Sequence, residues 1–342
     1  MKITRFVGAQ GAPNHIAQAL LRSGLSIAEL RALSPLEENA QRLVDQAVVE
    51  VGLERLVLGA DMLAAGLTFP LTDPLSIMEV QWEQISKSGG AQRTMAPQAR
   101  GENQLPDRKI KRVPVYLTTD DFSINIRTLK ASERIGTPLD TTLIKQATRR
   151  VNEAIEDACL NSTGVVVDGG GATPSKTYGL LDAPNANTAA LTVNWAGANT
   201  VGTTGPACVN DILGMISTLQ GDKKFGPYNV YLGTKAGNLI EGDFKANTVD
   251  TIRQRLERIT AGGRTLNIRV ADQMPGASTG VQVAVVQMTD DVLDMITGQS
   301  PTVIPWTSLD GFTLYWMVMA IMVPRFRDDY DGNSGVCVGS KA

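Results

Sequence analysis

Histidine is almost missing from these 342 residues; His15 is the only one. A single imidazole in an arm broken by Gly8, Gly11 and Pro13 gives a Ser-His-Asp or Cys-His relay, or an HExxH metal site, nothing to build on. Cysteine is scarce as well. Cys159, Cys208 and Cys337 are odd in number and lack CxxC spacing, which argues against a disulfide framework or a zinc site and predicts buried free thiols. Long apolar runs are lacking too: the longest, Phe312 to Val323, has 12 residues, short of the roughly 20 a membrane helix needs, and reads as a buried strand. The opening MKITRFVGAQGAPNH has no apolar core of the length a secretory signal needs, so the expectation is a soluble, cytoplasmic chain with no membrane contact. A net charge of -3 argues against a surface that embraces nucleic acid all round and leaves room for a local basic patch. Gly169-Gly170-Gly171 with Ser175-Lys176 does not make the GxxxxGK[ST] phosphate loop and reads as a surface loop. No catalytic, cofactor or metal residue is therefore expected, and the chain is not read as an enzyme.

What is present is organised around residues 137–161. Thr137 can cap a helix whose first residue is Pro138, with Asp140 in its first turn. Leu139, Leu143, Ala147, Val151, Ala154, Ile155 and Ala158 then recur on one face, while Lys145, Arg149, Arg150, Glu153 and Glu156 point away from it. The pattern predicts a helix over about 138–160, about 35 Å long at about 1.5 Å per residue. Its apolar face is expected to lie on a sheet containing the 312–323 strand.

Before it comes a long hairpin. Met78, Val80 and Trp82 alternate with polar residues, as do Val113, Val115 and Leu117 and then Phe122, Ile124 and Ile126. Between the arms, residues 87–112 carry Lys87, Arg93, Arg100, Arg108, Lys109, Lys111 and Arg112 against only Glu102 and Asp107. An isolated hairpin is marginal in water, and a polar loop of this length is uncommon unless it binds something. Three readings stay open: phosphate contact, a solvated loop, and docking on an acidic surface of another copy. The third is favoured because no aromatics are interleaved to stack on bases. Candidate contacts are Trp82 as an anchor, with Arg93, Arg100, Arg108, Lys109, Lys111 and Arg112 facing Asp290, Asp291, Asp328 and Asp329. The paired acids otherwise read as turns or solvated surface, and Asp328, Asp329, Asp331 and Asn333 depart from the EF-hand spacing.

Elsewhere the periodicity predicts helices over about 35–51, 206–219 and 249–259, and strands over 229–232, 266–270, 281–287 and 292–296. The elements order as an α+β chain with an N-terminal arm (1–66), the hairpin (67–126), a segment with the long helix (127–199), an α/β block (200–300) and a closing segment (301–342).

The hairpin 77–126, the helix TPLDTTLIKQATRRVNEAIEDACLNST followed by YGLLDAPN, and the tail VVQMTDDVLDMITGQSPTVIPWTSLDGFTLYWMVMAIMVPRFRD together resemble the major capsid proteins of tailed bacteriophages, the Hong Kong 97 type fold, on its encapsulin-like branch. The resemblance implies an E-loop, a spine helix, a peripheral and an axial domain, and a structural role in a virion. Its implied partners are copies of the chain as hexamers and pentamers of an icosahedral shell, packaged double-stranded DNA without sequence-specific contact, and portal, scaffolding or decoration proteins, with assembly in the host cytoplasm. An encapsulin compartment is the near alternative and a soluble α/β enzyme the distant one. Some members crosslink through a hairpin lysine, but no motif here matches one and no crosslinking residue is assigned.

Overall fold

The computed structural model describes residues 56–87, 95, 105–128, 142–162, 165–167, 175–245, 250–274, 280–308 and 312–341. The helix expected over 35–51, the cap at Thr137, and Arg93 and Arg100 lie outside them. In chain order the elements are α1 (Leu58–Ala64), β1 (Thr68–Pro70), β2 (Glu79–Ile85), β3 (Arg108–Pro114), β4 (Thr118–Asn125), α2 (Thr142–Asn161), β5 (Val166–Val167), β6 (Ser175–Lys176), β7 (Asn187–Ala190), α3 (Thr204–Gly221), β8 (Tyr228–Leu232), α4 (Thr234–Ile240), α5 (Ile252–Glu257), β9 (Thr260–Ala261), β10 (Arg264–Thr265), β11 (Asn267–Val270), β12 (Val281–Gln287), β13 (Leu293–Thr307), β14 (Thr313–Phe326) and β15 (Val336–Ser340).

Two sheets carry the chain. The first has the order β1-β13-β14-β4, with β1 parallel to β13 and the other pairs antiparallel. Its central strand β14 is the apolar run seen in the sequence. Trp316, Val318, Ala320 and Met322 join one core on one face, and Met319, Ile321 and Val323 are buried on the other, so alternation is lost. Pro324 fits because β4 stops at Thr118, opposite Ala320, leaving β14 one neighbour where the missing N–H falls. The second sheet has the order β11-β8-β12-β15-β7. Tyr231, Ala284, Val286, Val336 and Val338 face the core shared with α1 and α2, while Val230, Leu232, Val283, Val285 and Cys337 face a second core with α3, α4 and α5. The strand expected over 292–296 is thus the start of β13 in the first sheet. The α/β block instead completes its sheet with β15 and β7, from outside 200–300. Residues 118–125 likewise leave the hairpin and form the edge strand β4.

Helix α2 packs on β14 and β4 as expected, and its buried arc is far wider than one apolar stripe. Ile144, Ala147, Thr148, Val151, Asn152, Ile155, Glu156, Ala158, Cys159 and Leu160 are all buried, whereas Leu143 and Ala154, expected inside, are exposed. Glu156 overturns its expected outward placement: it is 1% exposed. Its carboxylate accepts the backbone N–H groups of Leu58 at 2.8 Å and Gly59 at 3.2 Å, so α2 caps the start of α1. Burial raises the Glu156 carboxyl above its usual range, against the opposing pull of those N–H bonds.

The far end of α2 explains the Gly-Leu-Leu segment. Leu180 N–H donates to the Cys159 carbonyl at 2.8 Å and Leu181 N–H to Leu160 at 3.0 Å, satisfying helix-terminal acceptors. The chain crosses so closely there that a Cβ on Gly179 would lie 2.4 Å from the Ser162 nitrogen. Cys159, Cys208 and Cys337 are buried free thiols; burial pushes Cys208 and Cys337 each up to about 12.

Two outcomes are expected. Gly179→Ala meets backbone on three sides and should lower unfolding free energy by on the order of 1–3 kcal/mol in a denaturant titration. Folding favours the protonated form of Glu156, so its contribution to stability is full below the ordinary carboxylate pKa and is lost as pH rises through the raised one. Glu156→Gln should remove that part of the loss of stability with rising pH above the ordinary carboxylate pKa, read from denaturant titrations at a series of pH values.

Candidate docking hairpin and its acidic seat

The register of β2 and β3 sorts the basic residues by face. Val80 lies opposite Val113, Trp82 opposite Lys111 and Gln84 opposite Lys109, forming the inner face. Gln81 lies opposite Arg112, Glu83 opposite Ile110 and Ile85 opposite Arg108, forming the outer one. Lys109 and Lys111 therefore turn inward, and Arg108 and Arg112 outward.

Contacts along the inner face change in kind from base to far end. Val80 and Val113 pack with Ile296 and Val323 in a small apolar cluster. Trp82 stands beside the Arg325 guanidinium, 5.4 Å from the ring centroid. Arg325 also stacks at 4.7 Å on Phe69 and holds Asp294 through both carboxylate oxygens, and Arg327 shares that carboxylate. Next, Gln84 donates through Nε2 to the carbonyl of Asp328 and, at 2.6 Å, to its Oδ1. The Asp328 side chain is 3% exposed and also receives Asn185 Nδ2 at 2.7 Å and Lys111 Nζ at 3.5 Å. Lys109 Nζ sits 3.8 Å from the Tyr330 ring centroid, and Lys87 Nζ lies 3.5 Å from Asp329 and 3.9 Å from Asp331.

The acidic turn after β14 is thus the seat of the chain's own hairpin. Lys109, Lys111, Asp328 and Asp329, expected to face each other across copies, meet within one subunit because the stalk lies along β14 and the turn that leaves it. Trp82 likewise packs on its own subunit. Asp291 pairs with Lys224 at 2.6 Å; burial pushes its carboxyl up, and Lys224 and Thr289 outweigh that and hold it below the usual range. Asp290 lies within electrostatic reach of Arg327. On the outer face Arg108 pairs with Glu83 at 3.0 Å, and Arg112 makes no ion pair among the described residues. Ile85 and Ile110, exposed by 54% and 57%, stand between them.

The carboxylates of the turn, which loosely resembled a calcium loop in sequence, are met by lysine and amide donors. Gln84, Asn185, Lys224 and Arg325 were missed in sequence. Gln84 alone carried a signal, sharing the parity of Val80 and Trp82.

Several solved structures share this backbone arrangement. The virus-like particle from Pyrococcus furiosus aligns with a TM-score of 0.58 and 14% identity over 87% of this chain and 98% of that one. The capsid of Myoviridae phage XM1 aligns with a TM-score of 0.59 and 12% identity over 78% and 86%. The capsid of the native GTA particle aligns at 0.59 and 12% over 84% and 91%. No curated protein matches the sequence. The fold is the α+β Hong Kong 97 type capsid fold. Within it, residues 69–339 match the family described as Family of unknown function (DUF6260), and the chain belongs to that family.

Removing the Asp328 carboxylate strands Asn185 and Lys111 without their acceptor and leaves Gln84 only the backbone carbonyl of residue 328. Asp328→Ala should therefore cost on the order of 3 kcal/mol and raise amide exchange in 108–114, while Asp329→Asn, at an exposed pair, stays within about 1 kcal/mol.

Proposed function

We propose that this protein is a structural capsid subunit that assembles with copies of itself into the icosahedral head of a tailed double-stranded DNA phage. The observation that carries the reading is a Hong Kong 97 type fold whose hairpin leaves Ile85, Ile110 and Arg112 uncovered on its outer face. Apolar side chains ringed by guanidinium groups suit docking on another protein surface, and closed symmetry repeats one such contact around a shell. The docking groups in this reading are Arg108 and Arg112 with the two isoleucines, and Arg93 and Arg100 of the same basic sequence stretch. Packaged DNA is a partner by charge alone, portal, scaffolding and decoration proteins are further partners, and the subunit performs no catalysis.

A cargo-holding compartment is the second reading, motivated by the alignment with the virus-like particle from Pyrococcus furiosus, whose TM-score of 0.58 lies beside the 0.59 of the phage XM1 capsid. Nuclease-protected DNA in purified particles separates the two, since a phage head carries a genome and a compartment a protein cargo.

Expression followed by negative-stain microscopy should show megadalton particles. Ile110→Asp with Arg112→Glu should abolish them while circular dichroism and the unfolding midpoint stay close to the parent. Normal shells from that variant, or from one lacking residues 89–107, sink the docking role.

A further inference from the structure

Between β3, β6 and the end of β14 the side chains leave a cavity of about 90 Å³, several times the roughly 15 Å³ that one water needs. Its walls are of two kinds. Trp82, Tyr178, Pro184, Pro324 and Phe326 supply apolar surface, and Lys111, Arg112, Lys176 and Arg325 supply cations. Asp328 is the one carboxylate among its described lining residues, and its oxygens already serve Gln84, Asn185 and Lys111. The carboxylates that meet Lys176 and Arg325, Asp182 at 3.1 Å and Asp294, stand outside the lining, so positive charge gathers at the cavity itself. An ammonium group carries three donors; Lys111 and Lys176, each paired with one carboxylate, retain N–H groups for another acceptor. The indole N–H of Trp82 is buried and has no hydrogen-bond partner among the described residues. A buried indole ordinarily has one, because an unpaired donor forfeits its hydration. Ile110, 57% exposed, and Arg112 border the cavity as well, which thus meets the surface at the outer strip of the hairpin.

We propose that this cavity is a carboxylate-binding site that takes an acidic side chain presented by a partner protein. The carboxylate accepts from Trp82 Nε1, Lys111 and Lys176, and its short aliphatic stem lies against Tyr178 and the two prolines. A few well-placed polar groups in an apolar cleft suit such a two-part ligand. Inorganic phosphate would meet the cations and leave the aromatic and proline walls without contact. The hairpin of a second copy is a poor source, because residues 87–112 are themselves strongly basic. On the reading of the outer strip as a docking surface, on which the source of this side chain rests, it belongs to the acidic protein surface that covers Ile110 and Arg112. Binding of the carboxylate as such does not depend on that reading.

The test uses the full chain with N-acetylglutamate amide as probe, N-acetylglutamine amide as its neutral isostere and inorganic phosphate as the anion without a stem, all at one ionic strength. Apparent affinity is read from the rise of the unfolding midpoint with probe concentration. The charged probe should raise the midpoint in a saturable way, the neutral one should leave it in place, and phosphate should bind about tenfold more weakly than the charged probe. Lys176→Gln and Trp82→Phe, which keeps a ring and removes the N–H, should each weaken the charged probe about tenfold, the loss of one charge-assisted bond, while Lys176→Arg retains it. Lys176 is partly exposed, so its variants decide the matter even where Trp82→Phe loosens the stalk. Equal responses to the charged and neutral probes, a response to phosphate matching that to the charged probe, or an affinity that Lys176→Gln leaves unchanged each overturn the site. Particle formation is scored separately by negative-stain microscopy. A bound probe with no particles under any condition counts against the assembly reading alone, and particles without probe binding count against this site alone.

Discussion

The burial of one helix on more than one side is the constraint from which the rest of the subunit follows. Helix α2 lies on the four-stranded sheet, and its other flank meets α1 and the inner face of the five-stranded sheet. A helix so enclosed keeps only a narrow flank for solvent, that of Arg149, Arg150 and Asp157. Glu156 is the result: a carboxylate taken from water, stabilised by the N–H groups that begin α1. The same enclosure leaves the helix C-terminus buried, where the backbone beyond Gly179 supplies the missing donors. The C-terminal part of the described helix thus serves as a joint twice, to α1 through Glu156 and to residues 179–181 through its last carbonyls.

The hairpin is attached to this block and not part of its core. Its stalk is held by a small apolar cluster, an arginine stacked between two aromatic rings, one buried carboxylate and an outer set of exposed ion pairs. The inward lysines are engaged within the chain, Lys111 by Asp328 and Lys109 by the Tyr330 ring, and Arg108 pairs with Glu83, which leaves Arg112 with no ion pair among the described residues and Ile85 and Ile110 exposed beside it. A strip that is apolar and cationic and stays exposed among the described residues is suited to association.

Much of this was legible from residue order. The alternation of Val80 and Trp82 with Glu79 and Gln81, the 12-residue apolar run, and the recurrence of Ala147, Val151 and Ile155 marked hairpin, central strand and spine, because burial of one face imposes a period on the chain. Alternation is a property of neighbours in sequence, and it already held the partition of the stalk into two faces. Strand membership was less visible: residues 118–125 and 293–307 carry strand signals, but which sheet receives them depends on contacts across most of the chain.

What the sequence determined by itself is therefore the hairpin, the spine helix, the central apolar strand and the excess of positive charge in the hairpin, all consequences of local period and composition, whereas the short α1 and α4 carried no such signal. What the tertiary structure decided is where the charge goes. Lys109 and Lys111 reach Asp328 and Tyr330 only because the stalk is laid along β14, and Glu156 is inside only because α1 begins beside it. Pairing of charges depends on distance in space, falling within a few ångströms of solvent-screened contact, and no pattern in a single chain carries that distance.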